Sequence, residues 1–92
     1  MAKILLADAD QETLDEIEQH LSSEHQIERV SNGEDAIEVA SKSQPDLIIA
    51  EVSLDGVDGF GLCQAIHHNP KTSSVAIILT TSQPLPAEKV RA

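Results

Sequence analysis

Three short apolar runs, at residues 4–7 (ILLA), 47–50 (LIIA) and 75–79 (VAIIL), each end at a side chain carrying oxygen: Asp8, Glu51 and Thr80. A strand that is apolar without alternation must be covered on both faces, as in a parallel sheet with helices on either side. Open sheets of that kind place their sites just beyond the carboxyl ends of the strands. Asp8, Glu51 and Thr80 are therefore expected to converge at one sheet rim.

The segments between the runs read as helices. After Asp8, Asp10 is suited to cap a helix in which Leu14, Ile17 and Leu21 recur at helical spacing, with Glu12, Asp15, Glu16 and Glu18 mostly facing away. This helix should end near residues 22–24, before a short strand at 26–30 (QIERV). Ser31 or Asn32 caps a second helix with Ala36, Ile37 and Ala40 on one face, stopped before Pro45. A strand at 46–51 and a loop at 54–58 containing Gly56 follow. A third helix is expected to carry Phe60, Cys63 and Ile66 inward and to end before Pro70. After the strand ending in Thr80, QPLPAEKVRA reads as a loop and the first turns of a fourth helix, with Pro86 in its first turn. The order is β-α-β-α-β-α-β-α in one domain spanning residues 1–92.

Composition narrows the function classes. Sixteen acidic against six basic residues give a net charge of −10, which repels nucleic-acid backbones and anionic membranes alike. The single cysteine, Cys63, excludes an internal disulfide and reads as a small core side chain. No stretch reads as a signal peptide or a membrane span, so a cytoplasmic protein is expected. His20, His25, His67 and His68 read as surface residues without metal-ligand spacing.

KILLADAD, NGEDAIEVA, PDLIIAEVSLDGVDGFGLCQAI and AIILTT stand in an order and at spacings that resemble the receiver domain of two-component response regulators, over almost the whole chain. The resemblance implies a flavodoxin-like parallel sheet of strand order 2-1-3-4, here a truncated (βα)4 unit lacking the family's fifth strand and last helix. It also implies roles. Asp8 matches the first of two metal-holding acids, and Ala9 falls on the second, the direct Mg²⁺ ligand. Asp10 matches the next position and is better read as a helix cap. Glu51 falls on the phosphoacceptor aspartate, and Thr80 matches the hydroxyl that bonds the phosphoryl group.

A methyl group cannot coordinate Mg²⁺, so metal binding is expected to be weak or absent, with no cofactor. Glutamate carries its carboxylate about 1.5 Å further out than aspartate, one C–C bond, and phosphoryl transfer depends on positioning. The expected function is phosphorylation-independent signalling or protein interaction by a degenerate receiver, not an enzyme, with Glu51 at the phosphoacceptor position, either as a plain solvated acid at a strand end or as an imitation of the phosphorylated state. One alternative is the N-terminal fragment of a longer response regulator in a phosphorelay. A distant alternative is a haloacid-dehalogenase-like phosphatase, to whose D-x-D motif ILLADADQET is similar; there Asp8 would be the nucleophile and Asp10 the acid/base. Without a fifth strand the fourth becomes an apolar sheet edge. Self-association as a homodimer, or a protein partner, is expected at that edge and at the fourth helix.

Overall fold

The computed structural model describes residues 2–81. Its elements are β1 (Lys3–Ala7), α1 (Gln11–Leu21), β2 (Gln26–Val30), α2 (Gly33–Ser43), β3 (Leu47–Glu51), α3 (Gly59–His68) and β4 (Ala76–Thr80). The strands form one sheet in the order β2-β1-β3-β4, and every pairing is parallel. This is the flavodoxin-like arrangement expected from the sequence. The expected fourth helix lies outside the described residues.

Each helix begins where a polar side chain takes up a free backbone N–H group. Asp10 caps α1, Asn32 caps α2 and Asp58 caps α3. Of the two candidates for the second cap, Asn32 therefore has the role and Ser31 does not. Helix α2 stops at Gln44, which adopts a left-handed conformation with φ 48° ahead of Pro45.

The strands separate two apolar layers. Leu5, Ala7, Ile48 and Ala50 face α2 and α3, meeting Ala36, Ala40, Leu62 and Ile66. Ile4 and Leu6 face α1 and meet Leu14, with Ile17, Leu21, Ile27, Leu47 and Ile49 half-buried around them. This is the two-sided burial that the near-continuous apolar runs require.

Helix α3 corrects one expectation. Ile66 is buried as expected and Cys63 is half-buried, but Phe60 is 63% exposed and Leu62 takes the inward place. Gly59 sets this phase. A Cβ on it would lie 2.9 Å from Val52 Cα and 3.1 Å from the Glu51 carbonyl oxygen, so the helix approaches the sheet most closely at that residue. With Gly59 inward, Leu62 and Ile66 follow at helical spacing, and Phe60 is turned about 100° away. His25 is also half-buried, its Nδ1 accepting from the Ala2 N–H at 2.9 Å.

Candidate functional site

The parallel register assembles the rim. Ala7 lies beside Ala50, and Glu51 lies beside Thr80. Asp8 follows Ala7 directly, and its backbone N–H donates to the Val30 carbonyl at 3.1 Å, so β1 stays ordered through this residue. The Val52 N–H donates to the Thr80 carbonyl at 2.8 Å and extends the β3–β4 pairing past Glu51. A cavity of about 370 Å³ opens at this rim, lined by Asp8, Ala9, Asp10, Glu51 and Thr80. Thr13, Ile17, Ser53 and Thr81 complete the lining.

The two central acids are both only 8% exposed, yet each keeps a polar partner. Asp8 Oδ1 accepts from the Asp10 N–H at 2.9 Å, and Glu51 Oε1 accepts from the Ser53 N–H at 3.4 Å. The second bond is long, and it turns the glutamate back onto its own loop. The second oxygen of each carboxylate has no hydrogen bond among the described residues. Thr80 donates its hydroxyl proton to the Ala50 carbonyl in a long contact of 3.4 Å.

Asp10 stands apart chemically. Its Oδ1 accepts from the Glu12 N–H at 3.2 Å and its Oδ2 from the Thr13 hydroxyl at 2.7 Å. Both oxygens thus serve the start of α1, which takes Asp10 away from an acid/base role. Ala9, between the two acids, is exposed and brings only a methyl group. Among the described residues no group of three or more His, Cys, Asp or Glu side chains is arranged to hold a metal ion.

The loop after Glu51 is fastened to α2. The Gly33 N–H donates to the Asp55 carbonyl at 3.2 Å, and a Cβ on Gly33 would overlap the Val57 carbonyl. Gly56 turns with φ +77° beside the Glu34 carboxylate, where a side chain would be strained. The NGEDA segment thus does more than start a helix: its glycine is the seat of the loop that positions Glu51. Sequence spacing brought Asp8, Glu51 and Thr80 to attention. It missed Ser53, whose amide position depends on the loop, and the apolar wall contributed by Ile17.

A second cavity, of about 240 Å³, lies between α1 and the end of β2, beside Gln11, Arg29 and Asp35. Arg29 donates to Asp15 at 2.8 Å, Glu18 at 3.1 Å and Gln11 at 2.9 Å, tying α1 to the sheet edge. The hydrogen bond to Asp15, followed by that to Glu18, raises its pKa above the ordinary guanidinium value.

Residues 4–92 match the response regulator receiver domain family. The chain is 32% identical over 84 residues to the transcriptional regulatory protein AfsQ1 of Streptomyces coelicolor, covering 90% of this chain and 36% of that protein. It is 25% identical over 91 residues to protein PilH of Pseudomonas aeruginosa, covering 98% of this chain and 75% of that one. It spans 18% of a further relative, the response regulator PleD of Caulobacter vibrioides. The signal receiver domain of a histidine kinase from Syntrophus aciditrophicus superposes with a TM-score of 0.84 at 29% identity, over 99% of this chain and 70% of that one. The receiver domain of the sensor histidine kinase PA1611 from Pseudomonas aeruginosa, solved with a magnesium ion coordinated in its active-site cleft, gives 0.86 at 24% identity, over 97% and 74%. At that identity the second likeness is one of fold.

Proposed function

The chain belongs to the response regulator receiver family of two-component signalling, and from that premise we propose that it is a receiver working without phosphorylation, through protein contacts in the cytoplasm. The observation that carries this reading is the Asp8–Ala9–Asp10 turn. Ala9 puts a methyl where the family has its second acid, and Asp10 cannot replace it because both its oxygens hold α1. The donors left for Mg²⁺ are Asp8 and Glu51, each with one oxygen already accepting a backbone N–H. That set does not fit the paired-acid site of the family, so Mg²⁺ binding is weak.

Glu51 occupies the phosphoacceptor position. A carboxylate at that place is a permanent charge where a phosphorylated aspartate would carry a conditional one, although with fewer oxygens and less charge. Under this reading the module has no turnover of its own, and Glu51 holds it toward one signalling state. Contact with a partner or a second copy occurs on the β4 side of the sheet, where β4, the edge strand among the described residues, is apolar.

Incubation with Mg²⁺ and acetyl phosphate, followed by intact-mass measurement, should show no phosphoryl adduct. Beryllofluoride with Mg²⁺ should leave the amide spectrum unchanged. An adduct on Glu51 would overturn the reading. Glu51→Gln removes the charge at nearly constant shape, and unchanged partner binding would remove the imitation of phosphorylation while leaving the rest intact.

A second reading is favoured by the relatives' lengths: this chain corresponds to 36% of AfsQ1. It would then be the N-terminal part of a longer response regulator, with its output in another segment. A reading frame continuing past Ala92 into an apolar strand followed by a lysine would support it.

A further inference from the structure

The asparagine that caps α2 stands directly before a glycine, and such a pair is chemically labile. The main-chain nitrogen of the second residue can attack the side-chain amide carbon of the first. Glycine hinders this attack least, because it has no Cβ. The fold uses both residues. Asn32 takes up the Asp35 N–H group as the cap. Gly33 is buried, and a Cβ on it would overlap the Val57 carbonyl. The junction between α2 and the loop that positions Glu51 is therefore built on a reactive pair.

The folded chain engages both reacting groups elsewhere. Asn32 Oδ1 accepts from the Asp35 N–H at 2.8 Å, and its Nδ2 donates to Asp35 Oδ2 at 3.1 Å. The Gly33 N–H donates to the Asp55 carbonyl at 3.2 Å, which holds the proton that the attack must lose. The Asn32 carbonyl accepts from the Ala36 N–H at 3.2 Å, and the residue is extended with ψ 167°. Closing a ring between Cγ and the Gly33 nitrogen requires rotation about that ψ and a free Gly33 amide. Both are denied while the loop lies on α2.

We propose that Asn32 is a deamidation site gated by the loop of residues 52–58, protected while the Gly33 N–H is bonded to Asp55 and reactive when the loop lifts from α2. The step needs only water. Water or hydroxide takes the Gly33 amide proton, a bond forms between the Gly33 nitrogen and Asn32 Cγ, and the Cγ–Nδ2 bond breaks to release ammonia. One water molecule then opens the cyclic imide at either carbonyl, giving an aspartyl or an isoaspartyl residue.

Both products act on the rim. An aspartyl carboxylate would stand where Nδ2 now donates to Asp35 Oδ2, and like charges repel there. An isoaspartyl link adds a methylene to the main chain just before Gly33, the residue on which Asp55 and Val57 are seated. Deamidation thus converts a transient opening of the Glu51 loop into a lasting one. This holds whether or not Glu51 accepts a phosphoryl group.

The 92-residue chain carries its own control. Its other asparagine, Asn69, precedes Pro70, whose nitrogen has no proton and cannot close the ring. The chain is incubated at mildly alkaline pH, native or in urea, and peptide mass mapping follows exchange of NH₂ for OH at each asparagine. In urea Asn32 should convert and Asn69 should not. Native conversion should be slower by the fraction of time for which the Gly33 amide is open. Hydrogen exchange at that amide measures the fraction independently, and the two should agree within about tenfold. Gly56→Ala strains the loop at φ +77° and should speed native conversion about fivefold or more. Circular dichroism checks that this variant is folded, and the hydrogen-exchange comparison needs no variant. Asn32→Ser keeps a neutral cap without a leaving amide. Its Ser53 amide resonance should stay constant on incubation, while that of the unaltered chain shifts as Asn32 converts.

Equal native and unfolded rates, conversion of Asn69 as fast as Asn32, or a native rate out of line with Gly33 exchange would each overturn the proposal. So would an unchanged rate in folded Gly56→Ala, or an aged chain whose Ser53 amide has not moved.

Discussion

The face of the sheet under α2 and α3 and the face under α1 use similar apolar residues to different ends. On the first, Ile48, Leu62 and Ile66 are at most 1% exposed and two helices fit against four strands. On the second, α1 is the only helix among the described residues, Ile78 is 51% exposed, and the acids of the rim rise on this same side. Burial is complete on the first face, while the rim cavity opens on the second.

Substitutions can break or sharpen this contrast, and they rank by expected effect. Leu62→Ala, on the closed face, should lose about 2–5 kcal/mol in urea unfolding. A loss no larger than that of an exposed residue would remove the contrast. Gly33→Ala comes next, because its new methyl would meet the Val57 carbonyl under the loop that seats Glu51. Overpacking of this kind costs about 1–3 kcal/mol, and it should also shift the Ser53 amide resonance. Asp10→Ala removes the α1 cap and should cost about 1 kcal/mol. If Asp10 instead served the cavity, helix stability by circular dichroism would be unaffected.

Ile78→Asp, on the open face, should change stability by no more than about 0.5 kcal/mol. A large loss would mean that Ile78 is core after all. Smallest is Arg29→Ala, whose ion pairs with Asp15 and Glu18 are largely exposed. It should lower the melting temperature slightly at low salt and not at high salt. Because its pKa is raised on folding, the stabilisation is fully present below the unfolded value and is lost only as pH rises through the folded one. Titration across the neutral range should therefore leave this contribution unchanged.

Much of the fold was legible because its signals are local. The runs at 4–7 and 47–50 and the helical spacing of Leu14, Ile17 and Leu21 each reflect a requirement met within a few residues. Phe60 misled for a physical reason. Hydrophobicity alone favours burying the only aromatic residue, but a glycine one position earlier determines which side of α3 can approach the sheet. The rim acids were legible as strand-end residues. That Glu51 bonds back to Ser53, and that Thr80 directs its proton to Ala50, depends on loop and strand geometry that no spacing encodes.

From the sequence alone came the order of elements, the identity of the rim residues and the methyl at position 9, because each is a matter of which side chain occurs where along the chain. Tertiary structure alone decided the phase of α3, the seating of the Glu51 loop on Gly33 and the uneven cover of the sheet among the described residues. Those depend on how close two backbones can come and on how many helices fit across four strands. Such distances exist only once segments far apart in the chain have met.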